Sequence, residues 1–214
     1  MKHINLEDLG AMPSRYKAHL INSGTGYKSA NLVGSRSKHG KSNLAIFNSV
    51  IHIGSNPPIL GFILRPLTVK RDTYTNLKDM GYFTVNQVTK NSIQDAHHTS
   101  ASYEENISEF SKTNLTETFL DNFYAPYVGE SKIKLGCKMI NEYKIKENGC
   151  LLIIGAIEHI YIPENILKDD GWLHLDEAET VAINGLDAYA LPKLLARYAY
   201  AKPDVPTKSL LSGS

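Results

Sequence analysis

The residues with most chemistry to offer lie at 34–43, GSRSKHGKSN. Gly40-Lys41-Ser42 has the ending of a P-loop, in which backbone N–H groups cradle phosphate oxygens. The spacing fails the motif. Five residues, Ser35 to His39, separate Gly34 from Gly40, and Ser35 stands where the first glycine belongs. The residues that follow, NLAIFNSVIHI (43–53), are rich in Ile, Val and Phe and read as strand, not as the helix a P-loop needs. The segment therefore reads as a polar turn, Lys38-His39-Gly40-Lys41, joining two strands. That leaves Ser35, Arg36 and Ser37 at a strand end. Two hydroxyls beside a guanidinium suit a phosphate monoester.

No other cluster competes. His97-His98 is a pair of adjacent residues, which point apart on any regular element, and no carboxylate or cysteine set accompanies it at ligand spacing, so no metal is expected. Cys137 and Cys150 form no metal motif and read as packed thiols of a reducing compartment. Two sequons, at 106–108 and 114–116, have no meaning without secretion, and residues 1–16 have no apolar signal core. A cytoplasmic location is expected. With 23 Lys+Arg against 22 Asp+Glu the net charge is +1, which offers nucleic acid no global attraction. No apolar run reaches the roughly 18 residues of a membrane span.

The elements that must position these groups alternate between strands and turns. Residues 1–22 form a partly helical lead-in, and 29–37, 43–53, 57–64 and 82–89 read as strands. Residues 71–81 read as a short helix, capped by Asp72 or Thr73 and ended by Gly81. Residues 90–130 are polar and read as a helical excursion between strands. Strands resume over 131–162, as a hairpin turning at Glu147-Asn148-Gly149. A turn-containing loop covers 163–176, and a helix, kinked at Pro192, is expected over 187–201. The pattern is mainly β (α+β) and fits an antiparallel barrel with peripheral helices. It is read as one domain over 1–202, followed by a flexible tail over 203–214.

Four segments, in this order, resemble the flavin reductase-like, FMN-binding split-barrel family. They are HGKSNLAIFNSVIHIGSNPPILGFIL, KRDTYTNLKDMGYFTVNQV, SEFSKTNLT and IIGAIEHIYIPENILKDDGWLHLD, and the resemblance spans about residues 29–176. Departures are Tyr27-Lys28-Ser29, where the family often has Pro-Arg-Pro, and Asn48, where a serine is common.

The resemblance implies an antiparallel Greek-key split β-barrel with peripheral helices, and FMN, with FAD as the alternative flavin, bound near the interface of a homodimer. The phosphate would be held from two places, Ser35-Arg36-Ser37 and Arg71-Asp72-Thr73. Asn43, Leu44, Ala45, Phe47, Asn48 and Ser49 would run beside the isoalloxazine, and His98 would cover it. The implied activity is NAD(P)H-dependent flavin reduction, with hydride passing to flavin N5 and then electrons to a partner oxidase or other acceptor. No side chain is required as acid or base. Two rivals stay open: an FMN-binding electron carrier or sensor, and an enzyme like the pyridoxamine phosphate oxidases. Neither nucleic acid nor membrane is an expected partner.

Overall fold

Two sheet edges that are neighbours in the chain decide the shape of this protein. The structure, a computed structural model, describes residues 1–104 and 106–211. Two helices, α1 (Leu6–Ala11) and α2 (Ser14–Gly24), lead in. Then come β1 (Tyr27–Ser29), β2 (Asn31–Arg36), β3 (Ser42–Phe47), β4 (Ile51–Ser55), β5 (Pro58–Leu64), α3 (Asp72–Met80) and β6 (Tyr82–Gln87). The 90–130 excursion carries α4 (Ile93–His98), two 3-10 turns, β7 (Glu117–Thr118) and β8 (Tyr127–Val128). The chain continues through β9 (Lys134–Lys144), β10 (Leu151–Tyr161), α5 (Leu175–Ala178), β11 (Ala182–Asn184) and β12 (Ala188–Ala190).

Seven strands form one antiparallel sheet in the order β3-β2-β6-β9-β10-β5-β4. Its two edges, β3 and β4, are joined by only Asn48, Ser49 and Val50. A link that short cannot span a flat seven-stranded sheet. The sheet must curl until its edges meet, and the result is a barrel with a seam. At the seam Ser49 stands in for the missing ladder: its hydroxyl accepts the Ile63 N–H at 3.0 Å and donates to the Ile63 carbonyl at 3.3 Å. Phe47 meets Phe62 edge-on, with ring centres 5.1 Å apart. The β5–β6 connection, carrying α3, passes over β10 and β9, the Greek-key step expected of this fold.

β2 is buried on both faces, which explains its near-continuous apolar run. Val33 joins Phe62, Phe83, Val85 and Cys137 in the main core, into which α3 inserts Leu77. Leu32 faces the other way, into a second core with Leu44, Val88, Ala96 and Val128. A buried polar network docks the excursion on that second face. Thr84 donates to the Pro126 carbonyl at 2.5 Å, and Asn86 accepts the Val128 N–H at 3.1 Å while donating to the Leu32 carbonyl.

Three expectations need correction. The strand read over 43–53 is two strands, broken at 48–50 where the chain crosses the seam. The single strand over 29–37 divides at Ala30, with β1 pairing to β11 in a separate three-stranded sheet with β12. No helix forms over 187–201. Residues 188–190 pair with β11, and the chain then runs extended. Pro192 removes one helical N–H and drives its predecessor to extended backbone. Outside anchors finish the matter: Asp176 takes the Leu194 N–H at 2.6 Å, and Arg197 lies on the Trp172 ring at 4.4 Å while pairing with Asp170.

The helical excursion is helical only at α4 and its 3-10 turns, and Glu105 within it lies outside the described residues. The 38–41 turn, the Glu147-Asn148-Gly149 hairpin and the Gly81 stop all form where expected. In the 203–214 tail, Leu210 donates its N–H to the Arg197 carbonyl at 2.8 Å, and 212–214 lie outside the described residues.

Gly34 is where the two layers come closest. A Cβ there would sit 2.3 Å from the Pro126 carbonyl oxygen and 2.6 Å from Thr84 Oγ1. Gly34→Ala should therefore lower the unfolding free energy by about 1–3 kcal/mol, the overpacking range. A denaturant titration reads this directly, and an unchanged midpoint would mean that the 126–128 segment can step aside.

Candidate functional site

β2, β3 and α3 meet at one end of the barrel because Ser35, Asn43, Thr73 and Asn76 are tied together. Asn43 Nδ2 donates to Thr73 Oγ1 at 3.0 Å and to Ser35 Oγ at 3.3 Å, and Asn76 Nδ2 donates to Ser35 Oγ at 3.0 Å. All four residues are buried. This network holds the start of α3 against the β2–β3 hairpin. Ser35 touches no solvent, so in this conformation it supports the site and does not reach a ligand. Thr73 accepts from Asn43, and its own hydroxyl donates to no acceptor among the described residues.

The start of α3 is cationic. Arg71 is the N-cap residue, and no side chain caps the helix, so neither Asp72 nor Thr73 takes the capping role expected of it. Lys41 reaches Asp72 at 3.2 Å and Lys70 reaches it at 3.9 Å. Arg71 Nε is buried and finds no acceptor among the described residues. A buried guanidinium N–H without an acceptor is costly. An anion there would meet that donor, the adjoining cations and the free N–H groups of the first turn together. The residues present therefore fit a phosphate.

Along β3 the expected residues are partly committed. Leu44 is buried, and its N–H points outward to the Glu109 carboxylate at 2.9 Å. Ser42 Oγ meets the Glu117 carboxylate. Ala45 lies opposite Val33 in the β2–β3 register, and Phe47 packs on the main core. Asn48 donates to the Gly185 carbonyl at 3.1 Å, tying the seam to the β11–β12 turn. Ser49 is spent on Ile63. Ser37 Oγ accepts the Lys41 N–H at 3.1 Å, and Arg36 sits between that turn and the rings of Phe119 and Tyr124. Among the described residues no hydrogen bond or ring contact brings His98 to β3. It pairs with Tyr103, while its neighbour His97 bonds Tyr189 at 3.0 Å. A surface hollow lined by 77–81 and 139–142 lies at the opposite, C-terminal end of α3.

Sequence reasoning missed Asn76, Glu109, Glu117, Phe119 and Tyr124. Asn76 carried a signal, since it stands three residues after Thr73 and so shares its helix face. The other four come from the excursion, and nothing local says where an irregular segment will lie. Among the described residues no cluster of three or more metal-ligating side chains occurs, and no helix is long and apolar enough to cross a membrane.

The strand order and seam define an antiparallel split barrel. Residues 28–181 match the family model of the flavin reductase like domain, most of the chain, and the chain belongs to this family of flavin-binding split-barrel proteins. A flavin-reductase-like split-barrel protein from Shewanella frigidimarina is 41% identical, with 94% of this chain and 100% of that chain covered and a TM-score of 0.91. Nitrilotriacetate monooxygenase component B from Bacillus cereus is 21% identical over 92% and 98% of the two chains, TM-score 0.80. An FMN-binding protein from Thermus thermophilus is 15% identical over 92% and 100%, TM-score 0.71. The last two are likenesses of fold.

Glu109 offers a test of the packing at β3. Burial pushes its pKa up from the ordinary value near 4.5; the Leu44 N–H and Lys41 oppose this, and Asp72 adds to it. A carboxyl with a raised native pKa binds its proton more tightly when folded. Stability is therefore lost as pH climbs from the unfolded value through the native one. Glu109→Gln keeps an acceptor for Leu44 and removes that loss. Urea unfolding at about pH 4 and about pH 7 should show wild type losing more stability across the interval than the variant.

Proposed function

We propose that this protein binds FMN and reduces it with NAD(P)H, as an oxidoreductase that passes electrons on to a second acceptor. The observation that carries the reading is the buried Arg71 Nε at the start of α3, without an acceptor among the described residues, in a chain of this family. The flavin phosphate sits there, against Arg71, the Thr73 hydroxyl and the first N–H groups of α3. Lys41 and Lys70 offset Asp72, so that the carboxylate does not repel the phosphate.

Because Leu44 is committed to Glu109, the ring lies towards the seam, beside Ala45, Phe47, Asn48 and Ser49. Bound flavin supplies the hydride-accepting chemistry. The chain holds the phosphate, fixes the ring by backbone and packing contacts, and excludes water. None of its side chains is assigned an acid or base role. A homodimer is part of the proposal. The exposed Ile51 and Ile53 on edge strand β4 support a covered surface there, and sedimentation should give about twice 23.8 kDa.

Arg71→Ala should weaken FMN binding by about 1.5–3 kcal/mol, the range for hydrogen bonds to charged groups. Fluorescence titration measures it, and wild-type affinity would remove the phosphate assignment. Anaerobic NADH or NADPH should bleach the flavin absorbance of the loaded protein. A stable FMN complex inert to both would identify a carrier, and turnover of pyridoxamine phosphate would identify an oxidase.

A further inference from the structure

The reading above uses one phosphate station, at the start of α3. A second guanidinium has a separate set of neighbours. Arg36 ends β2, and its Nε donates to the Gly40 carbonyl at 3.0 Å. Gly40 has φ +85°, a left-handed conformation that brings the turn back under the arginine, and a Cβ there would lie 3.4 Å from Arg36 Nη2. The Arg36 Cζ is 4.8 Å from the centre of the Phe119 ring and 5.6 Å from that of Tyr124. Tyr124 is itself fixed, donating its hydroxyl to the Ser37 carbonyl at 2.8 Å.

The guanidinium is thus held from three sides. Its two terminal nitrogens donate no hydrogen bond among the described residues. An immobilised fork with its ends on offer is a receptor for two oxygens of one phosphate. Lys38 is exposed on the same turn and adds positive charge. Phe119 remains 42% exposed, an aromatic surface beside the fork. A phosphate receptor next to an available ring suits a nucleotide, whose base stacks on any aromatic face. A flavin mononucleotide has one phosphate, and the start of α3 already suits it.

We propose that Arg36, Phe119, Tyr124 and the Ser37–Lys41 turn form a second nucleotide station, which takes the phosphate and base of an adenylate. The adenylate can arrive as part of FAD or of NAD(P)H. Only that last choice rests on the flavin reading; the station itself does not.

The probe is 5′-AMP, titrated calorimetrically into the full-length protein. Binding should weaken about tenfold or more in Arg36→Met and in Phe119→Ala, and stay unchanged in Arg71→Ala. FMN affinity should show the reverse pattern, falling in Arg71→Ala and holding in Arg36→Met. If FAD outbinds FMN in wild type but not in Arg36→Met, the adenylate belongs to the flavin. If the two flavins bind alike and Arg36→Met raises the KM for NAD(P)H, it belongs to the pyridine nucleotide.

Absence of AMP binding overturns the proposal. So does AMP binding that ignores both Arg36→Met and Phe119→Ala. A loss of FMN affinity in Arg36→Met equal to that in Arg71→Ala also overturns it, because the two guanidinia would then grip one phosphate. Should Arg36→Met fail to fold, Phe119→Ala carries the test, since its ring lies at the surface. A protein that binds AMP in this way but no flavin keeps the station and loses the flavin reading.

Discussion

Everything in this fold depends on a covalent constraint: three residues, Asn48 to Val50, connect the two opposite edges of a seven-stranded sheet. Hydrogen bonding alone would let such a sheet twist and stay open. The short link forbids that, and the curl it imposes creates the enclosed core around Phe62 and Phe83. The seam is closed by side chains, with Ser49 answering Ile63 and Phe47 answering Phe62. A strand pair that meets through side chains leaves some backbone uncommitted to a ladder. That is why the proposed ring position falls there and not in the middle of the sheet.

The other end of the barrel works by a different principle. Four buried polar residues, Ser35, Asn43, Thr73 and Asn76, lock α3 to the β2–β3 hairpin. Buried amides and hydroxyls that satisfy each other specify a single arrangement more sharply than apolar contacts do. The cations above them, Lys41, Lys70 and Arg71, are therefore presented from a stiff base. An anion site gains from this, because the side chains at its floor need little further ordering on binding.

Much of this was legible in the chain. Strand periodicity, the Asn148-Gly149 turn and the Gly81 stop report local backbone energetics, and each lies where local rules put it. The ordered segments around NLAIF, RDT and FTVN carried the family and the end of the barrel where a phosphate is proposed to bind. What escaped is long-range. β3 and β4 read as one strand because both are apolar, and the break comes from the seam. Residues 187–201 have helical composition, yet Asp176, Asp170 and Trp172 hold them extended. Glu109 and Phe119 gain their places from the path of the 90–130 excursion, which no nearby residue dictates.

One of those unforeseen contacts bears on the behaviour of the chain in a crowded cell. β3 is an edge strand, and the outward N–H of Leu44 could recruit a foreign strand. Glu109 occupies that donor, and Glu117 sits at Ser42 just before it. Two carboxylates so placed leave an approaching backbone without its donor and facing negative charge, which is how natural sheets resist edge-to-edge aggregation. The excursion thus doubles as a guard on the barrel's exposed flank, keeping neighbouring molecules from extending the sheet into a fibre.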